Sequence, residues 1–133
     1  MAIVQTKYLF TARMDVEPEK EDLFNEVYDQ EHIPILSEVP GVLAIARFET
    51  QELTMVIGGE RRQMTIENEP KYSALYELES PDVLTSDAWA NAVDRGRWAD
   101  EVRPYTRNRR HLLLKRTSPA PDAVGSRKRS VRG

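Results

Sequence analysis

Tyr28–Leu36 has the sequence YDQEHIPIL and is followed by the turn VPGV at Val39–Val42. This stretch is the strongest indication of the fold in the chain. Upstream, Phe24 and Tyr28 recur at the spacing of an amphipathic helix, and His32 continues this row one turn further on. The imidazole of His32 is therefore expected to point where the apolar face of the helix points. This pattern predicts a histidine that faces the core.

The same helix is expected to bend just after this histidine. Pro34 has no N–H to donate and its ring crowds the carbonyl of Gln30, so the helix should kink or restart there. Pro40 and Gly41 then end it. A titratable ring that faces inward at a kinked helix is the best candidate for a functional site in this sequence, although it predicts a location and not a reaction.

The hydrophobic pattern on either side of this stretch predicts four core strands, two helices and an extra hairpin. The predicted strands are residues 7–13, 42–48, 72–78 and 107–116, the helices are residues 17–37 and 83–93, and the hairpin lies within residues 51–69. A mobile flap is the alternative for residues 51–69. The second strand is continuously apolar and is expected to be covered on both faces. The last strand is expected to have its buried centre at His111–Leu114.

This order of elements predicts an α+β fold of the ferredoxin-like type, βαββαβ. Its four-stranded antiparallel sheet carries both helices on one face, with the extra β-hairpin inserted between the second and third core strands. The opposite face of the sheet is apolar enough to need cover. A second copy of the chain is the simplest cover, so a homodimer is expected.

Length and composition limit the class of protein further. With 133 residues, 40% of them hydrophobic, the chain can form one domain with its own core, expected at residues 1–116. No run approaches the ~18 apolar residues of a membrane span, and no signal peptide is recognisable, so a soluble, cytoplasmic protein without a membrane partner is expected. The absence of cysteine excludes thiolate chemistry, and two histidines argue against a multi-histidine metal site.

The net charge of −3 is unevenly distributed along the chain. Residues 117–133 contain four basic residues and one acid, which leaves residues 1–116 with a net charge of −6. This basic tail has almost nothing to bury and is expected to be a disordered, solvated extension, with a basic contact arm as the alternative. Because an acidic body repels phosphate backbones, nucleic acid is not expected as a partner.

Taken together, these features resemble the dimeric α+β barrel superfamily, and within it the EthD-like branch. The resemblance covers about residues 5–116 and is carried by Tyr28, Glu31–Pro34, Val39–Val42, residues 72–78, Trp89 and Trp98–Arg103. The superfamily includes cofactor-independent monooxygenases, dehydratases, isomerases, polyketide cyclases, dechlorinating lyases and haem-degrading enzymes. The resemblance implies a site in the cleft between helices and sheet, but the fold does not select the reaction. The predicted hairpin is longer than expected for this branch, and the tail has no counterpart in it.

The candidate site residues are those expected to reach this cleft. The catalytic candidates are His32, Tyr28, Asp29 and His111, and the substrate-binding candidates are Tyr8, Tyr76, Trp98 and Arg103. His32 is suited to take or deliver a proton near neutral pH, with Asp29 or Glu31 holding its other ring nitrogen. The alternative is a histidine that ties the kinked helix to a backbone carbonyl.

The remaining candidates also have two interpretations. The tyrosines either orient an oxyanion or pack as core aromatics, and His111 is either a second acid or base or a packed residue. Trp89 and Trp98 are expected mainly to anchor the helices on the sheet. Arg103 either neutralises an acid group of a substrate or is a solvated surface residue, as are most arginines.

The absent motifs narrow the chemistry. The sequence has no Gly-x-Gly-x-x-Gly, no Walker-type loop and no nucleophile elbow, so no cofactor is expected. The leading hypothesis is a cofactor-independent lyase, isomerase, dehydratase or cyclase that uses histidine proton transfer on a small aromatic or carbonyl compound. The alternatives are a non-catalytic small-molecule binding or stress-related protein on the same fold and a cofactor-free monooxygenase.

Overall fold

The computed structural model describes residues 6–119. Its elements are β1 (Tyr8–Val16), α1 (Glu21–Val27), α2 (Ile33–Ser37), β2 (Val42–Glu49), β3 (Leu53–Ile57), β4 (Glu60–Met64), β5 (Tyr72–Leu78), α3 (Asp87–Ala92), β6 (Thr106–Arg107) and β7 (Leu112–Lys115). Short 3₁₀ turns lie at Pro18–Lys20, Pro81–Thr85 and Arg103–Tyr105, and π-helical turns at Tyr28–His32 and Trp98–Val102. The tail expected at residues 117–133 lies outside the described residues beyond position 119.

The main sheet has the strand order β2-β5-β1, with β6 and β7 both pairing the far side of β1. Every pairing in it is antiparallel. This order, with the helices packed on one face, is the ferredoxin-like arrangement expected from the order of elements, and the prediction of the fold is confirmed.

The central strand β5 shows why one face of the sheet is covered and the other is open. Its residues alternate between buried and half-buried along the whole strand, as its period of two requires. Tyr76 and Leu78 point under the helices and are almost fully buried, together with Phe24 of α1 and Leu36 of α2. Burial of each such side chain contributes about 1.5–3 kcal/mol, so these residues hold the helices on the sheet.

The helix that carries His32 contains a π-helical turn, which accounts for the expected bend. The backbone N–H of Ile33 donates to the carbonyl of Tyr28, five residues earlier. The next residue, Pro34, has no N–H, so the regular ladder cannot continue through it. The extra residue in this turn changes the phase of the helix where the histidine lies.

Two predicted elements are interrupted for local reasons. Ser86 has extended backbone angles, and its Oγ accepts from the Trp89 backbone N–H at 3.1 Å, so it caps a new helix inside the predicted helix 83–93. Asn108 has a φ of +52° and separates β6 from β7 inside the predicted strand 107–116.

Two expectations about burial are wrong for the single chain. Strand β2 is an edge strand with Leu43 and Phe48 more than half exposed, so it is not covered on both faces. The expected buried centre at His111–Leu114 is also wrong, because β7 pairs only with β1 and its leucines are nearly half exposed. Both strands lie at edges of the sheet, so each has a paired strand on one side only and an open sheet face.

Residues 51–69 contain the two strands β3 and β4, which pair with each other and with no other described strand. The turn between them has Gly58 at φ +60° and Gly59 at φ +81°. Positive φ at both central residues is the requirement of a type I′ turn, which glycine meets without strain. Every residue of both strands is exposed, so the hairpin stands away from the main sheet.

Candidate functional site

A cavity of about 200 Å³ lies between the helical layer and strands β1 and β5. Its walls are mostly apolar and aromatic, and include Phe10, Trp89 and Trp98. Its polar lining consists of Tyr28, His32, Tyr76, Arg103, Arg109 and His111. A concave, largely apolar site with a few convergent polar groups is the usual form of a small-molecule site.

His32 is buried in the wall of this cavity, with 4% of its surface exposed. Its ring stacks on Trp98, with centroids 4.3 Å apart and planes at 20°, and meets the edge of the Tyr28 ring at 5.0 Å. Burial lowers the pKa of His32, and the positive charge of Arg103 lowers it further, to about 4. The imidazole is therefore neutral at pH 7.

The Nδ1 atom of His32 is fully buried and has no hydrogen-bond partner among the described residues. A protonated ring would place an N–H at this position with no acceptor, which is costly in an apolar environment. The geometry thus favours the neutral ring over the charged one.

The prediction that Asp29 or Glu31 orients His32 is wrong. Asp29 accepts from Arg47 Nη1 at 2.7 Å, and Glu31 accepts from the Arg97 backbone N–H at 2.9 Å and its Nε at 2.6 Å. Glu31 is adjacent to His32, and adjacent side chains on a helix do not face each other. Asp29 lies three positions before His32, and the longer π-helical turn rotates it off the face that carries the histidine. Both carboxylates therefore face arginines on the outside of the helix.

The hydroxyl groups of Tyr28 and Tyr76 meet inside the cavity wall at 2.9 Å. Burial raises the pKa of Tyr28 to about 12 and raises the pKa of Tyr76 well above its usual value. Both phenols are therefore neutral at pH 7. One hydroxyl donates to the other, and the second hydroxyl hydrogen remains as a donor for a ligand oxygen.

His111 lies at the mouth of the cavity, with its ring against the edge of Phe10 at a centroid distance of 5.7 Å. The backbone N–H of Arg13 donates to its Nδ1 at 3.1 Å. Because this bond occupies the Nδ1 lone pair, a neutral His111 carries its proton on Nε2. Partial burial lowers the pKa of His111, and the positive charge of Arg109 lowers it further.

Two arginines supply positive charge to the cavity. Arg103 Nη2 donates to the carbonyl of Val93 at 2.7 Å and to Asp94 at 2.8 Å. Arg109 uses Nε and Nη2 to bind Thr106 Oγ1 and the carbonyl of Arg103. The ion pairs found within residues 6–119 do not include Arg109, so its charge is not neutralised by a carboxylate there.

The cavity brings together most of the residues expected from the sequence. These are Tyr28, His32, Tyr76, Trp98, Arg103 and His111. The assignment of Tyr8 is wrong: it begins β1 opposite Leu78 and Lys115, beyond the end of the cavity. Sequence reasoning missed Phe10 and Arg109. Phe10 shares the alternation of β1 with Ala12 and was available from the pattern, whereas nothing local distinguishes Arg109 from the other arginines.

The described residues contain no cluster of three or more histidine, cysteine, aspartate or glutamate side chains that could hold a metal ion. Within the same part of the chain, no helix has the length and apolar character needed to cross a bilayer.

Comparisons with solved structures identify proteins of similar fold. Neither family models nor curated proteins match this sequence. Among solved structures, the chain is similar to an EthD family protein from Bacillus halodurans, with 11% identity, a TM-score of 0.51 and coverage of 83% of this chain and 99% of that chain. It is also similar to SnoaB, a cofactor-independent oxygenase from Streptomyces nogalater, with 14% identity, a TM-score of 0.51 and coverage of 84% and 96%.

A third similar structure is that of MhuD with two manganese protoporphyrin IX molecules bound per active site, with 14% identity, a TM-score of 0.52 and coverage of 83% and 94%. Identities this low show the fold alone. The chain thus has the ferredoxin-like α+β fold of these structures, as the order of its predicted elements indicated.

Proposed function

We propose that this chain is a cofactor-independent enzyme that acts on a small aromatic or carbonyl compound by proton transfer. The observation that supports this best is the placement of a neutral, buried His32 in the same cavity as the hydrogen-bonded hydroxyl groups of Tyr28 and Tyr76. A site for this chemistry needs an unprotonated base and neutral donors for the oxygen that becomes negative.

In the proposed reaction, Nε2 of His32 takes a proton from the carbon next to a carbonyl group, while Nδ1 carries the proton of the neutral ring. The electron pair of the broken C–H bond moves into the new C=C bond, and the carbonyl oxygen becomes an enolate oxygen. A tyrosine hydroxyl donates to that oxygen, since both phenols are protonated at neutral pH. Elimination, isomerisation and cyclisation all begin with this step.

The low pKa of His32 restricts the substrate. At pH 7 the ring is fully available as a base, but it is a weak one, so the C–H bond must be acidic. A carbon between two carbonyl groups meets this condition. We therefore favour β-dicarbonyl compounds, including those that carry an aromatic ring, over simple ketones.

The hypothesis can be tested by hydrogen–deuterium exchange. A β-dicarbonyl panel in deuterated buffer, followed by proton NMR, should show enzyme-dependent exchange at the central carbon. His32→Ala should slow it by about 10²–10⁴-fold, and Tyr76→Phe should also slow it, whereas Arg62→Ala on the exposed hairpin serves as the unaffected control. Exchange in His32→Ala at the wild-type rate would contradict the assignment.

The second candidate is a non-catalytic small-molecule binding protein. The Nδ1 atom of His32 has no hydrogen-bond partner among the described residues. This favours the binding protein, because a catalytic histidine usually has a partner that fixes its orientation. Ligand binding without exchange would support this candidate. Oxygen consumption with candidate quinols would instead support a cofactor-free monooxygenase.

We also propose that the chain forms a homodimer through the open face of its sheet. Leu9 and Leu114 are paired opposite each other on this face, Leu75 lies diagonally across from Leu9, and Phe48 on β2 extends the patch. A second copy would bury these side chains. Sedimentation equilibrium should give twice the chain mass, and Leu75→Glu should shift the protein to monomer; a monomeric wild type at micromolar concentration would refute the proposal.

A further inference from the structure

We propose that the natural ligand of the cavity is a single-ring aromatic carboxylate, whose acid group binds at the mouth between Arg109 and His111. This inference rests on the proposed function in one respect, namely that the ligand occupies the same cavity. It is more specific, because it names the charge, the size and the binding groups of the ligand.

The charges of the residues that line the cavity favour an anionic ligand. Arg103 and Arg109 are cationic, while both tyrosines and both histidines are neutral at pH 7, and no carboxylate is among the lining residues. Asp94 balances part of the charge of Arg103. Arg109 has no such partner within residues 6–119, so a ligand carboxylate would supply the missing negative charge.

The hydrogen bonds of Arg109 and His111 favour binding of an oxyanion at the mouth. Thr106 and the carbonyl of Arg103 fix the Arg109 guanidinium through Nε and Nη2, which leaves Nη1 for a ligand oxygen. The bond from the Arg13 backbone N–H leaves His111 with its proton on Nε2, a second donor at the same end of the cavity. Two fixed donors match the two oxygens of a carboxylate.

The volume and the walls of the cavity favour one ring. A cavity of about 150 Å³ holds benzene, so the present one, at about 200 Å³, accommodates a single ring with a small substituent. Phe10, Tyr76 and Trp89 form one side, with edge-on and tilted contacts at centroid distances of 5.4–6.1 Å. Such aromatic walls suit a planar ring.

The test compares benzoate with benzamide, a neutral compound of nearly the same shape, by isothermal titration calorimetry on the full chain at pH 7 and low salt. The wild type should bind benzoate at least about tenfold more tightly than benzamide. Arg109→Gln should weaken benzoate binding by about fivefold and leave benzamide binding unchanged, since this arginine is solvent-exposed and its interactions are partly screened.

The matched control is Arg107→Gln, which makes the same change of charge two residues away and outside the lining. It should leave the preference for benzoate intact. Because both side chains are exposed, neither change should disturb folding, which circular dichroism would verify.

Equal affinity for benzoate and benzamide would overturn the proposed ligand class, as would an equal loss of benzoate binding in both variants. Binding of neither compound would overturn it as well. The proposed proton-transfer function fails by a different result, namely the absence of exchange in the β-dicarbonyl panel, so the two failures are distinguishable.

Discussion

His32 should make the folded protein sensitive to acid, and His32→Gln should remove this sensitivity. In the folded chain, burial and Arg103 lower the pKa of His32 from 6.5 to about 4. As the pH falls below about 6.5, the unfolded chain binds a proton here that the folded chain does not bind until about pH 4. The contribution of His32 to stability is therefore complete above pH 6.5 and is lost as the pH falls toward 4.

The size of the effect follows from the difference between the two pKa values. A difference of one pKa unit corresponds to about 1.4 kcal/mol, so the fall from 6.5 to about 4 costs about 3 kcal/mol of unfolding free energy. This is a large part of the 5–15 kcal/mol that is typical of a domain. Glutamine does not titrate, so His32→Gln changes stability by an amount that is independent of pH.

The measurement is urea unfolding of the wild type and of His32→Gln, followed by circular dichroism at pH 7.5, 6, 5 and 4 and at one chain concentration. Carboxylate titration affects both proteins equally and cancels in their difference. The advantage of the wild type should shrink by about 3 kcal/mol between pH 7.5 and pH 4. His111→Gln is the control and should show a smaller change, because that ring is exposed at the cavity mouth. Parallel stability curves for the wild type and His32→Gln would refute the reasoning.

Two further changes test the packing around the site. Tyr76→Phe leaves the hydroxyl of Tyr28 buried without its partner and should lower the unfolding free energy by about 1–3 kcal/mol in chemical denaturation; an unchanged midpoint would contradict the pairing. Gly96→Ala should lower Tm more than the control Gly58→Ala, because both glycines have positive φ but only a methyl group at Gly96 would meet the Glu31 carboxylate, at 2.6 Å. Equal shifts in Tm would show that the Glu31 carboxylate moves aside without cost.

The fold could be predicted largely because its signals are local. The alternation of residues 72–78 needs only the period of a strand, and the helix row through Phe24, Tyr28 and His32 needs only the period of a helix. The errors arose where one residue interrupts a pattern. The φ of +52° at Asn108 cannot be read from hydrophobicity, and the extended backbone at Ser86 overrides the helical stripe around it.

The candidate site could be predicted in part. The inward direction of His32 follows from spacing, but the partners of the neighbouring carboxylates do not. Glu31 is bound by Arg97, which is 66 positions away, and Asp29 is bound by Arg47 of strand β2. Such pairings depend on how distant elements meet in space, and the same is true of Arg109 at the cavity mouth. Local sequence therefore predicted where the cavity lies but not the electrostatics around it.

The hairpin of β3 and β4 joins the domain through a short base, where Asn68 accepts from Asn108 and Glu69 pairs with Arg13. The backbone N–H of Thr50 donates to the carbonyl of Lys71 at 2.8 Å, so the chain leaves and rejoins the main sheet at adjacent positions. Opening of the hairpin would break only its own ladder, and its amides should exchange with solvent much faster than those of β1 and β5. A short turn could therefore replace residues 53–64, or a longer insert could take their place, without a change in the register of the central strands.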